Sequence, residues 1–258
     1  MKAASASRGS FACHGRPELS PPNVRLARRA RCVRTVLRAD VVHDPTMKNH
    51  AVRREYSALA SSYDRAWARY VRDSTTLALA AWPALPALRI LDIGCGTGVL
   101  LQRALDADTT RTAIGLDITF NMLRKAAQRL PDCVPLVCAS SEKVPLRCES
   151  VDLVVSTSAL HYMRDPISML TEARRLLVPG GTVIVGDWCR DYWTMCALDR
   201  VLRWVDPAHV ATLSGETLVR LMGNAGFENV RLSRRRIDRF WGLMTATGQR
   251  PYATSARP

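Results

Sequence analysis

The segment Arg89-Ile-Leu-Asp-Ile-Gly-Cys-Gly-Thr-Gly98 constrains the fold more than any other stretch of the chain. A short apolar run passes into glycines at 94, 96 and 98, and a helical pattern follows over Thr97–Leu105. Glycines there open backbone conformations closed to other residues and let a ligand approach the chain closely. Strand, tight turn and helix in that order begin a parallel α/β unit, and the pattern recurs downstream. Leu88–Ile93, Thr112–Asp117, Val134–Cys138, Asp152–Ser156 and Thr182–Asp187 read as strands. Asn121–Leu130 and Pro166–Leu177 read as helices between them. His50–Trp67 and Tyr70–Trp82 read as helices before this unit, and Trp193–Val205 and Glu216–Gly223 as helices after it. Phe227–Ile237 and Phe240–Thr247 read as two strands joined by a tight, basic turn. The expected fold class is α/β: a Rossmann-like, mostly parallel seven-stranded sheet with helices on both faces and an antiparallel edge hairpin.

The turn also narrows the ligand. Dinucleotide-binding turns are spaced G-x-G-x-x-G, whereas this one is G-x-G-x-G, and Asp92 stands two residues before the first glycine. A carboxylate at that place is poorly matched to a pyrophosphate. It suits a ligand that carries an ammonium group near a sulfonium, such as S-adenosylmethionine (SAM). Asp117, 23 residues beyond Gly94 at the end of the next strand, lies near the interval at which an acid meets a ribose. A carboxylate there can accept both ribose hydroxyls; the plainer alternative is that Asp117 caps the following helix.

These motifs, with those after them, resemble the class I SAM-dependent methyltransferases of the methyltransferase type 11 group. That group includes ubiquinone/menaquinone biosynthesis and malonyl-carrier-protein methyltransferases. The resemblance covers roughly residues 50 to 186 and rests on several ordered segments. They are Leu91–Gly98, Gly115–Ala126 with its Met122-Leu pair, Ser140-Ser-Glu-Lys-Val-Pro145-Leu, Val151–His161 and Leu176-Leu-Val-Pro179-Gly-Gly181. The resemblance implies SAM as cofactor, with Asp92, Gly94, Gly96, Thr97 and Gly98 around its methionine part. It implies Asp117 on the ribose, Ile118 against the adenine, and Thr157 near the sulfonium. Upstream, Tyr63-Asp64 resembles the family's helix that closes over the cofactor; the alternative for Tyr63 is a half-buried helix aromatic. Ser140 departs from the family's acid or amide at the adenine amino group, so that contact is lost or water-bridged. The backbone of Ser141 remains able to meet an adenine ring nitrogen.

The expected activity is methyl transfer from SAM to a small-molecule or lipid-precursor acceptor, at an oxygen, nitrogen or carbon that the sequence does not specify. Two alternatives stand beside it: a non-catalytic SAM-fold binding or regulatory protein, and a nicotinamide-dependent oxidoreductase, which the glycine spacing and Asp92 disfavour. Methyl transfer needs a general base only if the acceptor must lose a proton. His161, after the fourth parallel strand, is the candidate because imidazole titrates in the right range; the alternative is that it merely lines the site. Trp188 and Tyr192 are candidates for an aromatic acceptor wall. Trp193 reads instead as core, in one apolar helical stripe with Leu198, Val201, Leu202 and Val205.

Charge and composition set the surroundings. The formal charge is +14; residues 1–46 hold nine Lys/Arg and three acids, a net of +6 that leaves +8 on the remainder. That stretch is expected to be a basic disordered or artefactual extension, with an organellar transit peptide as the alternative. Arg25–Leu37 within it could form a basic helix. Residues 47–258 are expected to form the methyltransferase domain, with a helical cap over 47–87. The Arg231–Arg239 run could meet an anionic membrane surface, a carrier protein or nucleic acid. Without a nucleic-acid module or stacking motif, nucleic acid ranks low. Eight cysteines lack metal-ligand spacing and a Cys-x-x-Cys pair, so no metal site is expected and a reducing cytoplasm fits. No apolar run is long and unbroken enough for a transmembrane span, although peripheral membrane contact stays open. The sequence is silent on oligomeric state.

Overall fold

The computed structural model describes residues 49–252 and, ahead of them, the backbone of a short strand. That strand is β1 (Val36–Arg38), followed by α1 (His50–Leu59), α2 (Tyr63–Ala66) and α3 (Ala68–Ala80). The alternating unit comprises β2 (Arg89–Ile93), α4 (Val99–Ala107), β3 (Thr112–Asp117), α5 (Phe120–Arg129), β4 (Leu136–Cys138) and β5 (Val151–Thr157). After a 3-10 turn at Leu160–Tyr162 come α6 (Pro166–Leu176), β6 (Leu177–Trp188), α7 (Trp193–Val205) and α8 (Gly215–Asn224). The pair β7 (Glu228–Arg236) and β8 (Gly242–Gln249) completes the described elements. The strands join one sheet in the order β1-β4-β3-β2-β5-β6-β8-β7. Pairing is parallel from β1 to β6, and β8 runs antiparallel to both β6 and β7.

The central parallel strands are apolar runs because both faces of the sheet are covered there. Successive side chains point to opposite faces, so each strand feeds two cores. In β2, Ile90 packs with Leu101 of α4 and Leu123 of α5, whereas Leu91 and Ile93 pack with Leu170 of α6 and Leu218 of α8. Leu153 and Val155 of β5 join the first core, and Val154 the second; in β6, Ile184 opposes Val183 and Val185. Leu101 is fully buried, and truncation of such a leucine to alanine costs about 2–5 kcal/mol. Helix starts are set locally. Asp165 accepts from Ser168 N at 3.2 Å with Pro166 in the first turn of α6, and Ser214 accepts from Thr217 N at 3.2 Å to start α8.

The seven expected strands are present, and β1 adds an eighth at the edge beside β4. The expected helix over Arg25–Leu37 meets this strand at its last residues; the other residues of the basic extension lie outside the described ones. The single helix expected over His50–Trp67 is divided. Ser62 turns its hydroxyl back to the Leu59 carbonyl at 3.3 Å, a local bond that competes with helix continuation.

Trp193 is a correction. It is 74% exposed, and Val201 and Val205 of the same expected core stripe are also exposed. The face of α7 that is buried carries Met195 and Asp199, with Leu198 and Leu202 partly covered. Asp199 fixes this orientation: its Oδ1 accepts Thr212 N at 2.7 Å and lies 2.9 Å from His209 Nε2, while Oδ2 accepts from Arg203. A pattern of apolar residues carries no sign that an acid is the buried anchor of a helix.

Candidate active site

The crevice lies at the C-terminal ends of β2 to β5. There β3 and β5 flank β2 on opposite sides, the switch point at which open α/β sheets take their ligands. The pocket encloses about 830 Å³, its mouth included.

Its floor is the glycine turn. Gly94, Gly96 and Gly98 have φ of +77°, +54° and +80°, in the left-handed region where glycine carries no Cβ penalty. A Cβ on Gly94 would stand 2.8 Å from the Ala159 Cβ across the crevice. Gly94 N and Cys95 N both donate to the Leu116 carbonyl, at 2.8 and 2.9 Å, which pins the turn to the end of β3.

Asp117 completes that attachment. Its Oδ2 accepts Gly96 N at 2.9 Å and its Oδ1 accepts Thr119 N at 2.7 Å. Burial raises its carboxyl above the ordinary range, against the pull of these backbone donors. The carboxylate therefore organises the turn before α5 and also lines the pocket. Asp92 is 1% exposed, its Oδ1 has no hydrogen-bond partner among the described residues, and it lies outside the pocket wall. Burial, and then the nearby Asp117, push its carboxyl up to about 8.

Thr97 and Gly98 are turned away from the pocket wall. Gly98 caps α4. Thr97 Oγ1 donates to Asp64 Oδ1 at 2.7 Å, Arg129 donates to Asp64 Oδ2 at 2.6 Å, and Arg129 also donates to the Thr97 carbonyl. This clasp ties α2 and the end of α5 to the glycine turn. It also holds Tyr63, the neighbour of Asp64, over the pocket, where burial and then Asp117 and Asp64 push its phenol up to about 12. Beside it, Tyr56 of α1 donates to the Tyr162 hydroxyl at 2.8 Å, and the rings meet edge to face at 5.3 Å. Ile118, Ser140 and Ser141 line the other end, with Glu142 next to them. Ser140 Oγ accepts Glu142 N at 3.3 Å.

Thr157 reaches the pocket, as does Ser158, which follows β5 at φ +54°. The Ser158 and Tyr70 hydroxyls lie 2.7 Å apart, and Trp188 Nε1 donates to Tyr70 at 2.9 Å. Trp188 is buried behind this pair, and Tyr192 packs against the hairpin with the Arg236 guanidinium over its ring at 4.9 Å; neither lines the pocket. His161 is also behind the wall, 3% exposed and stacked on Trp188 at 3.9 Å. Its Nδ1 lies 2.6 Å from Asp187 Oδ1, and Asp187 Oδ2 accepts the His161 backbone N–H at 3.1 Å. The Nε2 on the other side of the ring is buried without a partner among the described residues.

Sequence reasoning thus finds Tyr63, Gly94, Gly96, Asp117, Ile118, Ser140, Ser141 and Thr157 on the pocket, and the structure sets Asp92, Thr97, Gly98, His161, Trp188 and Tyr192 around it. It misses Tyr56, Arg129, Ser158 and Asp187. Only Asp187 carries a signal, since it ends a strand as Asp92 and Asp117 do.

A glycine turn pinned at the switch point, with an acid at the end of the next strand, is the arrangement of the SAM-dependent methyltransferase fold. Residues 91–185 match a family model described as "Methyltransferase domain". The chain is similar to a malonyl-[acyl-carrier protein] O-methyltransferase of Marinomonas sp., at 31% identity over 51% of this chain and 49% of that protein. A demethylmenaquinone methyltransferase of Renibacterium salmoninarum is 28% identical over 50% of this chain and 51% of that one. The chain thus spans about half the length of these curated relatives. Among solved structures, a SAM-dependent methyltransferase from Thermotoga maritima shares the fold with a TM-score of 0.62, at 23% identity over 79% of this chain and 99% of that one.

Proposed function

We propose that the protein transfers a methyl group from SAM to a small-molecule or lipid-precursor acceptor, with residues 47–258 as the catalytic unit. The observation that carries this reading is the glycine cradle at the switch point, whose flanking acid, Asp117, faces the pocket. The glycines fit a ligand lying close to the backbone, and Asp117 fits the hydroxyls of a ribose.

When bound, SAM supplies an activated methyl group on a sulfonium. The residues then have three tasks. Asp117 offers its remaining lone pairs to the ribose hydroxyls, and Ile118, Ser140 and Ser141 hold the adenine end. Tyr63 and the Tyr56–Tyr162 pair exclude water from above, which matters because positioning and desolvation supply most of the acceleration in such a displacement. Thr157 and Ser158 stand where the acceptor must enter. The Ser158 hydroxyl, held by Tyr70, orients a polar acceptor atom.

His161 is assigned a positioning role, because the Asp187–His161 pair holds the turn that carries Ala159 and Tyr162 into the wall. His161→Asn should lower kcat by up to about a hundredfold, through misplacement of the wall, while leaving the pH profile unchanged. Loss of a pH-dependent limb in that variant would restore it as the base.

Calorimetric titration with SAM and with NADH tests the cofactor, and labelled SAM with a cell extract tests the transfer. Binding of NADH but not SAM overturns the reading. Tight SAM binding with no labelled product across several extracts would favour a non-catalytic, SAM-binding protein.

A further inference from the structure

The outer face of α7 is apolar without a partner in the fold. Trp193, Val201, Trp204 and Val205 are 74%, 55%, 91% and 68% exposed. Trp193 and Trp204 are 11 residues apart, close to three full turns, so both rings lie on one side of the helix roughly 16 Å apart. Isolated exposed apolar residues are ordinary, whereas a stripe of this kind marks an interaction surface. Its N-terminal end is continued by the turn between β7 and β8, because Thr194 Oγ1 donates to the Phe240 carbonyl at 2.7 Å and Phe240 is itself exposed.

The charge around this stripe selects the partner. Arg200 stands on the same face of α7, and Arg235 and Arg239 are exposed on the hairpin that carries Phe240. None of these three has a carboxylate partner among the described residues, whereas Arg203 and Arg234 are engaged by Asp199 and Asp191. Exposed tryptophans with guanidinium groups on the same face and on the adjoining hairpin match the boundary of an anionic bilayer, where indoles sit at headgroup level and arginines meet phosphates. A second copy of the chain would set arginine against arginine. The basic residues 1–46, with a net charge of +6, are equally mismatched.

The other end of the stripe adjoins the pocket roof. Asp206, directly after α7, lies close enough to Glu55 of α1 to raise its carboxyl, next to the pocket-lining Tyr56. We propose that the Trp193–Trp204 face of α7, with the arginines of the β7–β8 turn, is a docking surface for anionic membranes. This inference is independent of which acceptor is methylated.

The test is co-sedimentation of the full chain with phosphatidylcholine vesicles with and without phosphatidylglycerol, read beside size-exclusion chromatography. Wild-type protein should bind the anionic vesicles with a blue-shifted indole emission, and bind the zwitterionic ones weakly. Trp193→Ser/Trp204→Ser should weaken binding roughly tenfold or more, and Arg235→Ser/Arg239→Ser should do likewise and lower the salt dependence. Both pairs are surface positions, and circular dichroism verifies their fold. Anionic binding unchanged by the tryptophan pair assigns it to another part of the chain and overturns the proposal. A dimer that these substitutions dissociate, with no vesicle binding, assigns the face to a second copy and overturns it too.

Discussion

Asp92 shows how much one buried atom can constrain a reading. Its carboxyl is held neutral by burial and by Asp117, with a pKa pushed up to about 8 from 3.8. A raised folded-state value means that the associated stability is complete below the ordinary range and is lost as the pH rises through about 8. Cofactor-free protein should therefore melt at progressively lower temperature across that window, and Asp92→Asn should flatten the dependence. Differential scanning calorimetry at several pH values measures it; a slope identical in the variant would assign the effect to other groups. Asp117→Asn separates binding from folding, because its amide oxygen still accepts from one of the two backbone donors. SAM affinity should fall roughly tenfold to a hundredfold, as expected for a lost charge-assisted pair, while the melting temperature changes less. Gly94→Ala should lose both stability and binding, since φ is +77° and the new Cβ would meet Ala159 at 2.8 Å. The two acids were legible in the sequence because each stands at a strand end, where the fold fixes its position. The Thr97 contact was not, because its partner Asp64 lies 33 residues earlier, on an element that only the folded chain brings near.

The element that most directly controls access is α1. It lies over the pocket through Tyr56 and meets the end of α7 through Glu55 and Asp206. Burial and then Asp206 raise the Glu55 carboxyl to about 7 from 4.5. The sign follows as it does for a buried acid: the attachment is strongest below the ordinary range and weakens as the pH rises through about 7. Hydrogen exchange in α1 should accelerate across that interval in the wild type, and Glu55→Gln should remove the transition. Equal protection of α1 on both sides of neutrality would contradict this. At this scale the alternating helices were legible from their apolar period, whereas the outward face of α7 was not. Its sequence offers apolar residues on both sides, and the decision falls to Asp199, whose buried bonds to Thr212 and His209 exist only in the folded chain.

For the whole molecule, the α/β class and the parallel run β2 to β6 were legible because strand and helix periods alternate without ambiguity. The place of the hairpin was not. Either of its strands satisfies the local pattern beside β6, and the fold chooses β8, leaving β7 at the edge. At the opposite edge, β1 pairs with β4 over Val36–Arg38. A chain started at Met47 loses that pairing. Its melting temperature should fall by a few degrees, about what 1 kcal/mol shifts in a domain of this size, with SAM affinity unchanged. A tenfold loss of affinity would make residues 1–46 part of the functional unit. The inserted position of β8 also sets an order of events during synthesis. β7 emerges from the ribosome first, yet among the described residues its only strand neighbour is β8, so the sheet stays open beyond β6 until residues through Gln249 have been delivered. Until then β6 presents a bare edge of unpaired amides and carbonyls, the kind of edge that invites pairing with another chain. A nascent chain stalled between β7 and β8 is the species that a ribosome-associated chaperone would need to shield.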